Sequence, residues 1–137
     1  MATDASKRQH VSLSCAPAEQ KHRSDIPQHI LERLLTLREY IEERFPEKLD
    51  LQEACRLASV NRTYLSSFFK LLTGYTLTDY QNRIRIQKAE ELIRETDLPV
   101  HEVALRVGFT DPNYFCKRFK SLTGHPPLRF RKLHNFL

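Results

Sequence analysis

The sequence predicts an all-α protein built from a repeated two-helix unit, and three observations carry that expectation. From residue 30 onward apolar residues recur at intervals of three and four, no segment alternates apolar and polar residues between hairpin signals, and an eleven-residue stretch occurs twice. Residues 64–74 read YLSSFFKLLTG and residues 114–124 read YFCKRFKSLTG, identical at six of the eleven positions with an offset of 50. Upstream the register is 49: Leu51, Cys55, Ala58, Ser59 and Val60 stand opposite Val100, Ala104, Val107, Gly108 and Phe109, with one extra residue in the second turn.

The elements follow in order. Residues 1–25 are rich in Ala, Ser, Lys, Gln and His without periodicity and read as a flexible polar tail. Ile30, Leu34, Leu37, Ile41 and Phe45 mark an amphipathic helix that Pro46 ends. Asp50 and Glu53 form a capping-box pattern that opens a short helix with Leu51, Ala54, Cys55 and Ala58 turned inward. Ser59-Val60-Asn61 reads as a tight turn, with Asn61 as the N-cap of a third helix that ends at Gly74. Thr76 and Asp79 cap a long fourth helix marked by Leu77, Tyr80, Ile84, Leu92 and Ile93. Its run to Glu95 amounts to roughly 28 Å at 1.5 Å per residue. After Pro99 the pattern restarts with Val100, Val103, Ala104 and Val107, a Gly108-Phe109-Thr110 turn, Asp111 as cap and Pro112 at the first helical position. That helix ends at Gly124, and Pro126-Pro127 opens a last basic turn. The expected division is a tail over 1–25, a helix-turn-helix subdomain over 26–75, a linker helix over 76–97 and a second helix-turn-helix subdomain over 98–137.

Composition narrows the function. A length of 137 residues fits one compact domain or two small ones. Three glycines are too few for Gly-rich phosphate loops. No run approaches 18 apolar residues and no secretory pattern opens the chain, so the expectation is a soluble, cytoplasmic protein without membrane association. Cys15, Cys55 and Cys116 are odd in number and lack zinc spacing, so neither a disulfide framework nor a metal is expected; no cofactor is expected either. No carboxylate pair or nucleophile–base pair suggests an enzyme.

The formal charge of +5 is unevenly distributed. Residues 51–75 carry three basic and one acidic side chain, and residues 99–137 seven and two, while the two intervening or preceding blocks, 26–50 and 76–98, are net acidic. Clustered base and a pI of about 9.3 suit a nucleic-acid face. A short helix, a tight turn and a second helix are the parts of a helix-turn-helix, whose second helix enters the major groove. Successive major-groove faces lie about 34 Å apart, close to the linker's length, whereas a structural solenoid normally needs three or more units. On the third helix Thr63, Ser66, Ser67 and Lys70 fall within about 100° of arc opposite a stripe of Leu65, Phe68, Phe69 and Leu72. The offset assigns Asn113, Cys116, Lys117 and Lys120 to the same face of the second unit. Thr63, Ser66, Ser67, Asn113, Cys116 and Lys117 are therefore the candidate base contacts, with the sharper preference expected from the second unit because Asn pairs bidentately with adenine and Lys donates to guanine. Arg62, Lys70, Lys120, Arg129, Arg131 and Lys132 are the candidate phosphate contacts, which position without specifying. Unlike stripes imply an asymmetric site that a monomer can occupy. Cys116, a thiol on that face, is also a candidate oxidant sensor, with only Lys117 and Lys120 nearby to lower its pKa.

Residues 28–133 closely resemble the DNA-binding domain of the AraC/XylS family of bacterial transcription regulators. The motifs are Val103-Ala104, Val107-Gly108-Phe109, Tyr114-Phe115, Phe119-Lys120, Gly124 and Pro127-x-x-Phe130-Arg131, joined by Arg85-Ile86, Ala89 and Leu92 in the linker. The resemblance implies seven helices, two helix-turn-helix subdomains bridged by the long helix, and promoter binding with recruitment of RNA polymerase, mostly in activation. In the short members it implies base contacts at the positions of Thr63, Ser66, Ser67, Asn113 and Lys117. Cys55 stands where the family usually has Ala, and Ser59 where it usually has a turn Gly; a left-handed Ser59 costs roughly 1 kcal/mol. Only about 25 polar residues precede the first helix, too few for a ligand-binding core. The chain is then either a short regulator controlled by its abundance, which the Met start favours, or the DNA-binding domain of a larger effector-controlled regulator. A helical adapter that keeps the fold and binds protein instead is the competing function.

Overall fold

The computed structural model describes residues 26–135; the expected tail over 1–25, with Cys15, lies outside them. Among the described residues there are seven helices and no strand: α1 (Gln28–Glu43), α2 (Leu51–Ala58), α3 (Arg62–Thr73), α4 (Leu77–Glu95), α5 (Val100–Arg106), α6 (Pro112–Thr123) and α7 (Pro127–Asn135). They form two compact units, one with α1, α2, α3 and the chain to Tyr80, the other with residues 44–48 and everything from Gln81 onward. The long helix α4 is thus shared: its first turn packs in the first unit and the rest is the spine of the second.

In the first unit α1 packs on α2 and α3. Ile30, Leu34, Leu37 and Ile41 supply its buried stripe, met by Ala54, Ala58, Leu65, Phe69 and Leu72. Small alanines on α2 let the short helix lie close; larger residues there would overfill a core already holding Phe69. Tyr80 closes this unit with its ring edge-on to Phe69 at 5.4 Å and its hydroxyl donating to Glu42 at 2.6 Å. Burial is the main reason its phenol is pushed to a higher pKa, with the Glu42 carboxylate adding to it. Phe68, expected in the core stripe, is instead half-exposed and stacks on Tyr64 four residues earlier at 6.0 Å.

The second core is more aromatic. Phe109, Phe115, Phe119 and Phe130 form a continuous chain of rings at 5.2 to 5.7 Å, packed with Ile86, Ala89 and Ile93 of α4 and Val103, Ala104 and Val107 of α5. Tilted and edge-on pairs of this kind add about 0.5–1.5 kcal/mol each beyond burial. Phe45 joins this core, not the α1 stripe in which its spacing had placed it. The helix stops at Glu43, and the short strap of residues 44–48 turns Phe45 into the second unit.

Candidate nucleic-acid interface

The two turns that set the reading helices share a backbone plan. Ser59 ends α2 at φ 57°, ψ 38°, the only non-glycine residue with positive φ among those described, and Gly108 occupies the matching place at φ 106°. The register of 49 therefore pairs the two left-handed turn residues. Ser59 accepts at its hydroxyl from Arg33 Nη1 of α1, 2.8 Å away.

Each reading helix is capped at both ends. Asn61 Oδ1 accepts from the Tyr64 N–H at 3.0 Å, and Asp111 Oδ1 from the Asn113 N–H at 3.0 Å, with Pro112 at the start of α6. Gly74 and Gly124 close the helices in the left-handed region. Just before each, a threonine clasps the exit: Thr73 Oγ1 donates to the Phe69 carbonyl at 2.9 Å and accepts from the Tyr75 N–H at 3.1 Å. Thr123 repeats this with Phe119 at 2.8 Å and His125 at 3.3 Å. The capping box before α2 is half made: Asp50 accepts from the Gln52 and Glu53 N–H groups, while the Glu53 carboxylate turns to Arg56.

The expected reading stripes are mostly open. Thr63, Ser66, Ser67 and Lys70 on α3 are exposed, as are Asn113, Lys117 and Lys120 on α6. Arg62, Arg129 and Lys132 are exposed as well. Two of the expected contact residues are half-buried. Cys116 is half-buried and packs on the second core. It lies three residues before Phe119, at the edge of the stripe where an apolar thiol turns inward while its counterpart Ser66 stays in solvent. Burial also raises the thiol pKa, opposite to what an oxidant sensor needs. Arg131 is half-buried, and its Nε donates to the Ile93 carbonyl near the end of α4 at 3.0 Å. A guanidinium there satisfies a helix-end carbonyl and ties α7 to the spine, so its first task is structural.

Tyr64 and Tyr114, at the third position of each reading helix, are 56% and 44% exposed and were absent from the expected contacts. Tyr114 also approaches the buried Asn82, its hydroxyl 3.4 Å from Nδ2. Among the described residues no group of three or more His, Cys, Asp or Glu could hold a metal ion, and no helix is long and apolar enough to cross a membrane.

Comparison with known proteins agrees with this geometry. A helix-turn-helix domain family model matches residues 54–133. The bifunctional transcriptional activator/DNA repair enzyme AdaA of Bacillus subtilis is 32% identical over 95 residues, covering 69% of this chain and 45% of that protein. The C-terminal domain of AraT, a response regulator from Geobacillus stearothermophilus, matches with a TM-score of 0.68 at 33% identity, over 74% of this chain and 84% of that one. The DNA-binding domain of the global transcriptional factor AdpA, solved in complex with a target DNA, matches with a TM-score of 0.69 at 26% identity, over 74% and 91% of the two chains. The chain spans 33–45% of the length of the leading curated relatives it matches.

Proposed function

We propose, from the premise that this chain belongs to the AraC-type helix-turn-helix family of transcription regulators, that it binds double-stranded DNA sequence-specifically and regulates transcription from that site, as an activator that engages RNA polymerase. The observation that carries the reading is the duplicated, doubly capped helix whose outward stripe is polar in both copies while its inward stripe is core. DNA binding by AdpA, and activation by AdaA, are properties those proteins' names state, and they favour the same reading here. The repair activity in AdaA's name belongs to that protein; for this chain the proposed role is binding, not catalysis, in the cytoplasm where the DNA lies.

In this reading α3 and α6 each enter a major groove, and the repeat together with the 19-residue α4 supports successive grooves. Thr63, Ser66 and Ser67 read one half-site; Asn113 and Lys117 read the other. Arg62, Lys70, Lys120, Arg129 and Lys132 hold phosphates. The half-sites differ because the stripes differ, so one chain suffices for an asymmetric site.

A gel-shift titration against random duplex over a range of salt tests the electrostatic half of the proposal. Five phosphate contacts should give a slope of about −4 to −5 in log affinity against log salt. Binding that hardly weakens with salt would favour the protein-adapter function instead.

A further inference from the structure

The strap of residues 44–48 is held to the second unit by two side chains of α4. Gln81 Nε2 donates to the Phe45 carbonyl at 3.2 Å and the Glu47 carbonyl at 2.7 Å. Arg85 reaches the same two carbonyls one turn later, Nε to Phe45 at 2.6 Å and Nη2 to Glu47 at 3.0 Å. The strap in turn meets the second helix-turn-helix turn. A Cβ on Gly108 would stand 2.6 Å from the Pro46 carbonyl oxygen, 2.8 Å from the Pro46 Cα and 2.9 Å from Arg85 Nε, so turn, strap and guanidinium are in contact. The Arg85 guanidinium also lies 5.6 Å from the centre of the Phe109 ring, the next residue of the turn. Arg85 therefore touches the strap and the first two residues of the turn at once, and it lies on α4, away from the reading stripe.

We propose that Arg85 is a positioning residue for the second reading helix: with Gln81 it pins the strap by its Phe45 and Glu47 carbonyls, and strap and guanidinium together form the seat of the Gly108–Phe109 turn, which fixes the direction in which α6 leaves it. A planar guanidinium with a fixed fork suits this task, since it meets two carbonyls and an aromatic face at once; a lysine ammonium holds the charge without the fork. Bidentate base contacts tolerate little misdirection, so loosening the seat blurs base choice before it abolishes binding. The inference rests on the DNA-binding reading above.

The test uses the full chain and selection of bound duplexes from a random pool, with folding of every variant checked by circular dichroism. Positions read by the second unit are those whose preference is lost in Asn113→Ala and Lys117→Ala. Single mismatches at such positions ordinarily weaken binding about 5- to 150-fold. Arg85→Ala should cut that discrimination about threefold or more at those positions alone, Gln81→Ala less, and Arg85→Lys should restore part of it. Base preference is a ratio of affinities and does not change when part of the protein is merely unfolded, so a purely stabilising role leaves the profile intact. An unchanged profile in Arg85→Ala, or in Gln81→Ala and Arg85→Lys should Arg85→Ala fail to fold, overturns the positioning role. A wild-type chain that selects no sequence overturns the DNA-binding reading instead.

Discussion

The two helix-turn-helix turns both pass through positive φ, at 57° on Ser59 and 106° on Gly108, in different surroundings. In the first unit the residue is an exposed serine, tethered through its hydroxyl to Arg33 of α1. In the second the residue is a glycine and no side chain fits: the Pro46 backbone occupies the space where a Cβ would be. The matching residue has positive φ in both copies, with a side-chain tether beside it in one and close backbone contact in the other. The first turn should therefore tolerate substitution that the second does not.

Gly108→Ala is the strongest way to break that contrast. It adds positive-φ strain to a contact with backbone that has no flexible end to yield, and should lower stability by about 2–4 kcal/mol in urea unfolding. Gly124→Ala is the control, since its positive φ carries strain but nothing lies within 4 Å of the added carbon. It should cost about 1–2 kcal/mol; equal losses at both positions would remove the role assigned to the strap.

The caps come next. Asn61→Ala and Asp111→Ala should each cost about 0.5–2 kcal/mol by thermal or urea unfolding. Asp111 is the larger because its charge also meets the positive end of α6, an advantage of about 0.3–1 kcal/mol that salt should erase. A gap between the two that persists in high salt would contradict that cause.

At the first turn Ser59→Ala keeps the strain and loses the Arg33 link, a loss of about 0.5–1.5 kcal/mol. Ser59→Gly loses the same link but relieves roughly 1 kcal/mol of strain, so it should be near neutral. If both variants destabilise equally, the left-handed backbone at Ser59 carries no strain.

The smallest effect lies at Glu90 of α4. Burial raises its carboxyl pKa, against the opposing pull of Arg94 and His134. The folded chain thus holds this proton more tightly than the unfolded one. Its contribution is fully present below the ordinary carboxylate pKa of about 4.3 and is lost as pH rises through the raised value. Glu90→Gln should accordingly raise the unfolding free energy slightly at pH 7, by under about 0.5 kcal/mol given the half-exposed site and its screening, seen as a small rise in melting temperature. The advantage should vanish near pH 4; an advantage that grows on acidification would reverse the sign of the argument.

The helices and their caps were legible because each is a local matter. Spacing of three and four marks a buried stripe, and Asn61, Asp111, Gly74 and Gly124 act on backbone within a few residues. The upstream register of the repeat likewise makes Ser59 and Gly108 equivalents, and both have positive φ. What escaped was set by contacts distant in sequence. Phe45 fits the α1 spacing but packs against the second core, because the strap turns away where α1 ends. Arg131 looks like one more basic residue until the Ile93 carbonyl is found beside it. Cys116 sits at a stripe's edge, where helical arithmetic cannot decide between core and solvent and the neighbouring Phe119 does.

In the proposed function the two units carry unlike reading surfaces for two unlike half-sites on one stretch of DNA. Selection from a random duplex pool with the wild-type chain, and then with Lys117→Ala, tests it most directly. The expected result is two separated clusters of preferred bases with different sequences, of which Lys117→Ala flattens one and leaves the other. A single palindromic preference, or a loss spread evenly over both clusters, would contradict it.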